Sequence, residues 1–247
     1  MGSEAADRPP PAGSPSECSG ATTRQPYGLA ASHETSNAGL TLTLVSTLRP
    51  MPSLNGSVVL VPVKAFAQAK ARLAVSLDPA QRAELARAMA EHVLAAARPL
   101  PVAVVCDDMG VAEWADEQAA IVLREPGRGL NGAVEAGVTR LARAGAQEVL
   151  VAHADLPMAD GLARLAGFSG VTLVPDRQED GTNVLCLPAG SPFRFRYGPR
   201  SFTRHAAEAK RLGLPLRVRR EPDLAWDIDV PSDIPAGLAP ALRVFGH

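Results

Sequence analysis

A strand-like apolar run that ends directly in a basic loop is the feature that most restricts this chain. The apolar run of residues 58–63 stops at Lys64, and the loop that follows carries Lys70 and Arg72 without an acidic residue between them. Ligands of open α/β sheets bind beyond the carboxyl ends of the strands, and cations placed there favour a polyphosphate. The alternative interpretation is a solvated basic loop that binds nothing.

Apolar runs and amphipathic segments alternate from residue 57 onward. The predicted strands are 57–63, 101–106, 119–124, 147–153, 170–175 and 183–188, with a late one near 214–219. The predicted helices follow a capping box at Asp78–Gln81, span Leu130 to Leu141, run from about Pro199 to Leu212, and start again at Pro231. Because the early strands are almost continuously apolar, the pattern predicts an α/β fold with a mostly parallel open sheet and helices on both faces.

Composition excludes several classes of protein. The chain has 247 residues and a formal net charge of −1, whereas dedicated nucleic-acid binders are usually basic. No apolar run approaches the roughly 20 residues that span a membrane. The three cysteines are odd in number and widely spaced, which fits neither a disulfide framework nor a zinc site, so a cytoplasmic protein is expected.

Residues 1–55 differ in composition from the rest of the chain. They are rich in Ser, Thr, Pro, Gly and Ala, and only residues 40–48 alternate as a strand would. This region is interpreted as a disordered or non-native N-terminal extension, and residues 56–247 as the folded domain. Met51 is a second candidate for the native start, which mass spectrometry of the natural N-terminus would decide.

Acidic residues follow two other predicted strands. Asp155 ends an apolar run, and Asp227 and Asp229 alternate around Ile228, so that they share a face of an extended segment. Carboxylate oxygens are suitable ligands for the magnesium ion that accompanies a nucleotide. The alternative is that these residues cap helices. Asp155 would cap a helix that follows residue 157, and Asp227 and Asp229 would cap the helix that follows Pro231.

A glycine-rich turn follows the third predicted strand. Residues 127–132 match the G-x-G-x-x-G pattern of dinucleotide-binding proteins, which leaves an NAD(P)-dependent oxidoreductase as an alternative function. That pattern normally follows the first strand, and Pro126 interrupts this one. We therefore expect Gly129 and Gly132 to let the backbone approach a base or ribose, with Asn131 offering amide hydrogen bonds. A glycine-rich turn that only starts a helix is the remaining interpretation.

A basic segment surrounds Gly198 and the start of a predicted helix. Residues 193–205 contain four arginines and His205, and Ser201 supplies a hydroxyl group in the first helical turn. Backbone N–H groups at a helix N-terminus together with basic side chains bind phosphate or carboxylate groups. A solvated basic surface is the alternative. For Thr182, in the turn Asp180–Asn183, the alternative to ligand binding is a role in the turn alone.

These motifs, in this order, resemble those of the guanylyltransferases of coenzyme F-420 biosynthesis. The likeness covers about residues 57–237, and the segments that carry it are VPVKAFAQAKARL, GLNGAV, HADLP, DGTNVL, FRYGPRSFTRH and WDIDVPSDI. It implies a single Rossmann-like nucleotidyltransferase domain. It also implies the substrates GTP and a small phosphorylated acid, namely phosphoenolpyruvate, 2-phospho-L-lactate or 3-phospho-D-glycerate.

The resemblance also assigns roles to individual residues. Asp155 matches the metal-binding aspartate of that family, and Asp227 and Asp229 match its C-terminal acidic pair. All three are expected to hold Mg²⁺. The residues matched to contacts with the phosphorylated acid are Thr182, Gly198 and Ser201. Ala154 stands where the family usually has glycine.

In the reaction that this resemblance implies, a phosphate oxygen of the acid attacks the α-phosphorus of GTP and pyrophosphate leaves. The nucleophile is already an anion, so no general base is needed. The cations expected to stabilise the pyrophosphate are Lys64, Lys70 and Arg72, and guanine is expected near Gly129, Asn131 and Gly132. The alternatives are a molybdopterin guanylyl- or cytidylyltransferase and a non-catalytic GTP-binding regulator. Hand-over of the product to the next pathway enzyme is also expected.

Removal of residues 1–50 is expected to leave the melting temperature and the activity nearly unchanged. A segment of this composition buries little apolar surface and therefore contributes little to stability. Thermal unfolding of the full chain and of the shortened chain, followed by circular dichroism, tests the expectation. A fall of many degrees on truncation would show that residues 40–48 pair with the sheet.

Overall fold

Seven strands form one sheet in the computed structural model, which describes residues 51–233. The strands are β1 (Gly56–Pro62), β2 (Val102–Cys106), β3 (Ile121–Arg124), β4 (Ala146–Ala152), β5 (Val171–Pro175), β6 (Thr182–Pro188) and β7 (Leu216–Val218). Their order is β3-β2-β1-β4-β6-β5-β7, and only β6 runs antiparallel to its neighbours. The predicted strands and the mostly parallel sheet are therefore confirmed.

Four α-helices cover the two faces of this sheet. They are α1 (Pro79–Ala96), α2 (Met109–Glu117), α3 (Gly129–Arg143) and α4 (Ser201–Arg211). Buried side chains of α1 and α2 pack in one hydrophobic cluster, and those of α3 and α4 pack in another on the opposite face. Helices on both faces, as predicted, exclude water from the continuous apolar strands.

The helix starts follow local capping rules. The Asp78 carboxylate accepts from the N–H of Gln81 at 2.9 Å, and the Gln81 side chain accepts from the N–H of Asp78 at 3.0 Å, which confirms the predicted capping box of α1. Helix α2 was not predicted, although Asp108 caps it by accepting from the N–H of Val111 at 2.9 Å. It has only nine residues, so its pattern of apolar residues extends over only about two and a half turns.

The folded domain begins earlier than residue 56, which corrects the predicted boundary. Leu54 is 8% exposed, and its N–H donates to the carbonyl of Ala144 at 2.7 Å. The predicted strand at 40–48 lies outside the described residues. The predicted fourth helix is described only at Pro231–Asp233, as one 3₁₀ turn.

A small hydrophobic cluster, separate from the two large ones, connects the loop after β1 with α1 and the segment 224–229. Its buried members are Leu73, Leu85, Met89 and Ile228, with Leu77 and Trp226 packed against them. Leu73 belongs to a 3₁₀ turn, Ala71–Val75, within that basic loop. The loop that carries Lys70 and Arg72 is therefore held in place by apolar contacts of Leu73, which directly follows Arg72.

No helix within residues 51–233 is long and apolar enough to cross a membrane.

Replacement of Gly145 by alanine is expected to destabilise the fold. Gly145 has φ of +104°, and a Cβ atom there would lie 2.4 Å from the carbonyl oxygen of Leu54. A left-handed backbone costs a non-glycine residue about 1–2 kcal/mol, so with the added clash we expect a loss of at least about 2 kcal/mol. Urea unfolding followed by circular dichroism measures it.

Gly190→Ala is the matched control, because a Cβ atom there would have no heavy atom within 4 Å. It is expected to change the free energy of unfolding by less than about 0.5 kcal/mol. Equal effects of the two substitutions would contradict the close approach of residues 54 and 145.

Candidate active site

The carboxyl end of β4 and the start of β6 form one edge of the candidate site. The ladder between these antiparallel strands extends to His153, whose N–H donates to the carbonyl of Asn183 at 3.0 Å. Because Thr182 is the first residue of β6, it lies beside the residues that follow β4. Asp155 and Thr182, which are separate in sequence, thus come to the same edge of the sheet.

The segment 224–229 is bound to this edge by two hydrogen bonds. The Asn183 side chain donates to the carbonyl of Leu224 at 3.0 Å, and the N–H of Ile228 donates to the carbonyl of Asp155 at 3.4 Å. The segment carries two acidic residues, Asp227 and Asp229. They are therefore brought to the carboxylate of Asp155, as the sequence predicted.

Lys70 connects these acidic residues to the basic loop. Its Nζ lies 2.6 Å from Asp155 Oδ2, 2.5 Å from the carbonyl oxygen of Ile228 and 3.4 Å from Asp229 Oδ1. Arg72 also approaches Asp229, at 3.4 Å, but its side chain is 74% exposed whereas that of Lys70 is 10% exposed. No acidic residue stands near Lys70 or Arg72 in the sequence, and the carboxylates that pair with them come from distant parts of the chain.

The three carboxyl groups have different electrostatic environments. Burial opposes ionisation of Asp155, but the charge and hydrogen bond of Lys70, helped by His153, hold its pKa below the ordinary value. Burial, followed by the negative charge of Asp155, raises the pKa of Asp227. Within residues 51–233 Asp227 has no ion pair, so the site holds more negative charge than Lys70 compensates.

This surplus of carboxylate oxygen fits a divalent cation with oxygen ligands. Asp155 Oδ1 is buried and has no hydrogen-bond partner in the described part of the chain. Magnesium typically uses one or two protein carboxylates together with water and substrate phosphates. No group of three or more His, Cys, Asp or Glu side chains between residues 51 and 233 is arranged as a metal site. The metal role of Asp155, Asp227 and Asp229 therefore stays a prediction.

Lys64 occupies a different environment from Lys70. It is exposed and lines a cavity of about 70 Å³ where the end of β1 meets the start of α3. Gly129 also lines this cavity, with Asp107 and Glu125 at its edge. Lys64 forms no hydrogen bond or ion pair with any described residue, so it can accept an incoming anion without breaking a contact.

The glycine-rich turn starts α3, as one interpretation of the sequence proposed. Gly129 has φ of +60°, and a Cβ atom there would meet no heavy atom within 4 Å, whereas one at Gly132 would lie 3.1 Å from the Cβ of Arg128. Asn131 accepts from the N–H of Tyr197 at 2.7 Å and donates to its carbonyl at 3.4 Å. The Asn131 amide therefore holds the backbone of residue 197, and its contact with a base stays a prediction.

The three residues predicted to contact the phosphorylated acid lie together. Ser201 Oγ is 3.4 Å from Thr182 Oγ1, and the N–H of Ser201 donates to the carbonyl of Gly198 at 3.0 Å. His205 Nδ1 lies 3.0 Å from Thr182 Oγ1. The sequence grouped His205 with the neighbouring arginines, but it is completely buried. Its position four residues after Ser201, on the same helix face, is the signal that relates the two.

The N-terminus of α4 is less available to a ligand than the sequence suggested. The N–H of Arg200 donates to the Asp180 carboxylate at 3.0 Å, and the N–H of Phe202 donates to the Asp180 carbonyl at 3.1 Å. Together with the bond between Ser201 and Gly198, these contacts use the first backbone donors of the helix. Hydroxyl groups, rather than free backbone N–H groups, are therefore the donors that this corner of the site presents.

The chain is similar to several proteins named phosphoenolpyruvate guanylyltransferase. The protein of Sphaerobacter thermophilus is 39% identical over 195 residues, which cover 74% of this chain and 94% of that protein. The protein of Conexibacter woesei is 38% identical over 192 residues, covering 72% of this chain and 85% of that protein. These alignments span nearly the whole of each relative.

Solved structures with little sequence identity share the fold. A putative nucleotide-diphospho-sugar transferase from Desulfovibrio desulfuricans G20 superimposes with a TM-score of 0.62 at 13% identity, covering 78% of this chain and 96% of that chain. A 4-diphosphocytidyl-2C-methyl-D-erythritol synthase gives a TM-score of 0.50 at 15% identity, covering 77% of this chain and 99% of that chain.

The family model described as guanylyl transferase CofC like matches residues 57–237. The chain therefore belongs to the family of CofC-like guanylyl transferases and is a nucleotidyltransferase.

Proposed function

We propose that the protein joins the GMP part of GTP to phosphoenolpyruvate, releasing pyrophosphate, as a step of coenzyme F-420 biosynthesis. The names of the relatives support the acceptor, since proteins 38–39% identical to this chain are called phosphoenolpyruvate guanylyltransferases. The observation that carries the proposal is the placement of an acidic cluster around Lys70 next to a buried pair of hydroxyl groups. The first suits a polyphosphate with its cation, and the second suits a small phosphorylated acid.

The chemistry requires positioning more than proton transfer. A phosphate oxygen of the acid forms a bond to the α-phosphorus of GTP, the bond from that phosphorus to the bridging oxygen breaks, and pyrophosphate leaves with the electron pair. Because the attacking phosphate is already an anion at neutral pH, no side chain needs to remove a proton. Catalysis then depends on alignment of the reactants and on stabilisation of charge.

Lysines are proposed to stabilise the charge that develops on the pyrophosphate. Lys64, which pairs with no residue between 51 and 233, lies just beyond the end of β1, beside the turn that begins α3. Lys70 is kept in position by Asp155, and Arg72 lies farther out in solvent. Asp155, with Asp227 or Asp229, would hold Mg²⁺, which when bound would neutralise charge on the phosphate oxygens. The Oδ1 atom of Asp155, which accepts no hydrogen bond from residues 51–233, supports this assignment.

The other functions considered from the sequence have less support. The glycine-rich turn follows β3 rather than β1, and it belongs to a domain whose family is a guanylyl transferase family. Neither an NAD(P)-dependent oxidoreductase nor a non-catalytic GTP-binding regulator is favoured by any contact in the site. An assay with each acid in turn decides whether 2-phospho-L-lactate or 3-phospho-D-glycerate serves as the acceptor.

The direct test measures pyrophosphate released by the purified full chain with GTP and Mg²⁺. Phosphoenolpyruvate, 2-phospho-L-lactate and 3-phospho-D-glycerate are each added in turn, and mass spectrometry identifies the product, with the next enzyme of the pathway as a trap for labile products. Release that requires both GTP and phosphoenolpyruvate is expected. Equal or greater release with CTP, or release that needs no acid, would contradict the proposal.

Asp155→Asn is expected to lower kcat by at least about 10²–10³-fold while the protein stays folded. The substitution removes the negative charge that holds Lys70, and it also removes a proposed ligand of the metal. Steady-state assays at saturating Mg²⁺ measure the loss, and circular dichroism checks the fold. Asp160→Asn, at an exposed carboxylate close in sequence, is the matched control and should keep wild-type activity. Activity of Asp155→Asn within a few-fold of wild type would remove this residue from the site.

Lys64→Ala and Lys70→Ala are expected to differ in their effects on stability. Both should lower kcat strongly, because both remove positive charge near the leaving group. Only Lys70→Ala leaves a partly buried carboxylate without its partner, which should reduce the free energy of unfolding by about 1–3 kcal/mol. Urea unfolding of the two variants measures this difference.

Lys64 has no partner in the described chain, so Lys64→Ala should unfold at the wild-type urea concentration. If Lys64→Ala changes only the KM for GTP and leaves kcat unchanged, its proposed role in the transition state is wrong. Lys64→Arg should restore little activity, since a planar guanidinium does not replace a compact ammonium group.

A further inference from the structure

We propose that His205 is a positioning residue that makes the Thr182–Ser201 hydroxyl pair a hydrogen-bond donor toward the anionic group of the phosphorylated acid. This inference rests on the proposed function for the identity of the ligand. Its structural part concerns three side chains that are almost completely buried, with exposed fractions of 1% for Thr182, 2% for Ser201 and 0% for His205. No reaction step is assigned to His205 itself.

The backbone determines which nitrogen of His205 carries the proton. The N–H of Arg196 points at His205 Nε2, at a donor–acceptor distance of 3.0 Å. A backbone N–H can only donate, so Nε2 must act as an acceptor and carry no hydrogen. In a neutral imidazole the proton is then on Nδ1, the nitrogen that lies 3.0 Å from Thr182 Oγ1.

The surroundings of the ring keep the imidazole neutral. Phe193 and Tyr197 lie against it, with ring centroids 5.8 Å and 4.8 Å away. Burial, followed by the nearby His153 and Arg204, lowers the pKa of His205 to about 4. The N–H of Arg196 would also lose its acceptor if Nε2 were protonated. Near pH 7 the ring is therefore a donor to Thr182 and an acceptor from residue 196.

The hydroxyl groups of Thr182 and Ser201 carry two hydrogens, and only one of these can be donated from one group to the other. Thr182 Oγ1 accepts from His205, and the contact of 3.4 Å between Thr182 and Ser201 uses one hydroxyl hydrogen, whichever of the two groups donates. The other hydroxyl hydrogen has no acceptor among residues 51–233. A buried hydroxyl donor without a partner is unfavourable, so the pair favours a ligand that offers an acceptor.

The number of hydroxyl hydrogens therefore determines whether the pair suits a ligand that accepts a hydrogen bond. If the imidazole proton were on Nε2, Thr182 would have to donate to His205, and the pair could no longer offer a directed O–H group. With the proton on Nδ1 the pair offers a donor, as a phosphate or carboxylate oxygen requires. The turn at Gly198, with φ of +114° and no heavy atom within 4 Å of a would-be Cβ, leaves room beside Ser201.

Two substitutions separate the donor of His205 from its acceptor. In His205→Asn the amide nitrogen lies near the position of Nδ1 and can still donate to Thr182. In His205→Gln the longer side chain brings its amide oxygen near the position of Nε2, where it can still accept from Arg196. The two variants are similar in polarity and volume, so each serves as the control for the other.

Steady-state kinetics with phosphoenolpyruvate, GTP and Mg²⁺ are measured for both variants. His205→Gln is expected to raise the KM for the acid by about 10- to 100-fold, the effect of one hydrogen bond to a charged group, with the KM for GTP unchanged. His205→Asn is expected to stay within about threefold of wild type. Equal effects of the two variants on the KM for the acid, or parallel changes in the KM for GTP, would overturn the proposal.

A spectroscopic measurement tests the inference independently of activity. The ¹⁵N and ¹H resonances of the imidazole of His205, assigned by their absence from the spectrum of His205→Gln, report the tautomer in the wild-type chain near pH 7. A proton on Nδ1 is expected, and a proton on Nε2 or a charged ring would overturn the proposal. If the wild type used none of the phosphorylated acids, the proposed function would fail while the spectrum still decided the state of His205.

Discussion

The ion pair between Lys70 and Asp155 is the interaction on which the arrangement of the site depends. The lysine comes from the loop after β1, the aspartate from the end of β4, and the neighbouring Ile228 carbonyl from the segment beyond β7. Charge alone would not keep these groups together in water, because exposed ion pairs contribute little. Lys70 is only 10% exposed, and the cluster around Leu73 and Ile228 excludes solvent beside it, so the pair is stronger and more specific.

The single antiparallel strand gives the site its second half. Because β6 returns between β4 and β5, its first residue, Thr182, lies beside the end of β4 rather than at the opposite edge of the sheet. The segment before α4 then closes over it, held by Asn131 at the backbone of Tyr197. One side of the edge therefore presents carboxylates and a lysine, and the other presents buried hydroxyl groups. This division matches an enzyme that must hold two anionic substrates in different ways.

Most of the secondary structure could be predicted from the sequence because it depends on local patterns. Continuous apolar runs identified the strands, and Asp78 with Gln81 identified the start of α1. Helix α2 was missed because its nine residues make only about two and a half turns, so the apolar spacing repeats too few times to stand out. The predicted boundary of the folded domain, after residue 55, was too late. Leu54 is buried and its N–H bonds the carbonyl of Ala144, about ninety residues away in the chain, so no local pattern indicates that it belongs to the domain.

The sequence alone determined the alternation of strands and helices, the kind of sheet they form, and the edge at which the polar residues collect. Only the tertiary structure decided which of those residues are paired and which remain available. Lys70 and Lys64 look alike in the sequence, yet one is neutralised by carboxylates and the other is free within the described residues. Likewise, Asn131 and His205 bind the backbone of residues 197 and 196. The reason is physical: secondary structure follows from neighbours along the chain, whereas charge compensation, hydrogen-bond partners and burial depend on groups that the fold brings together from far apart.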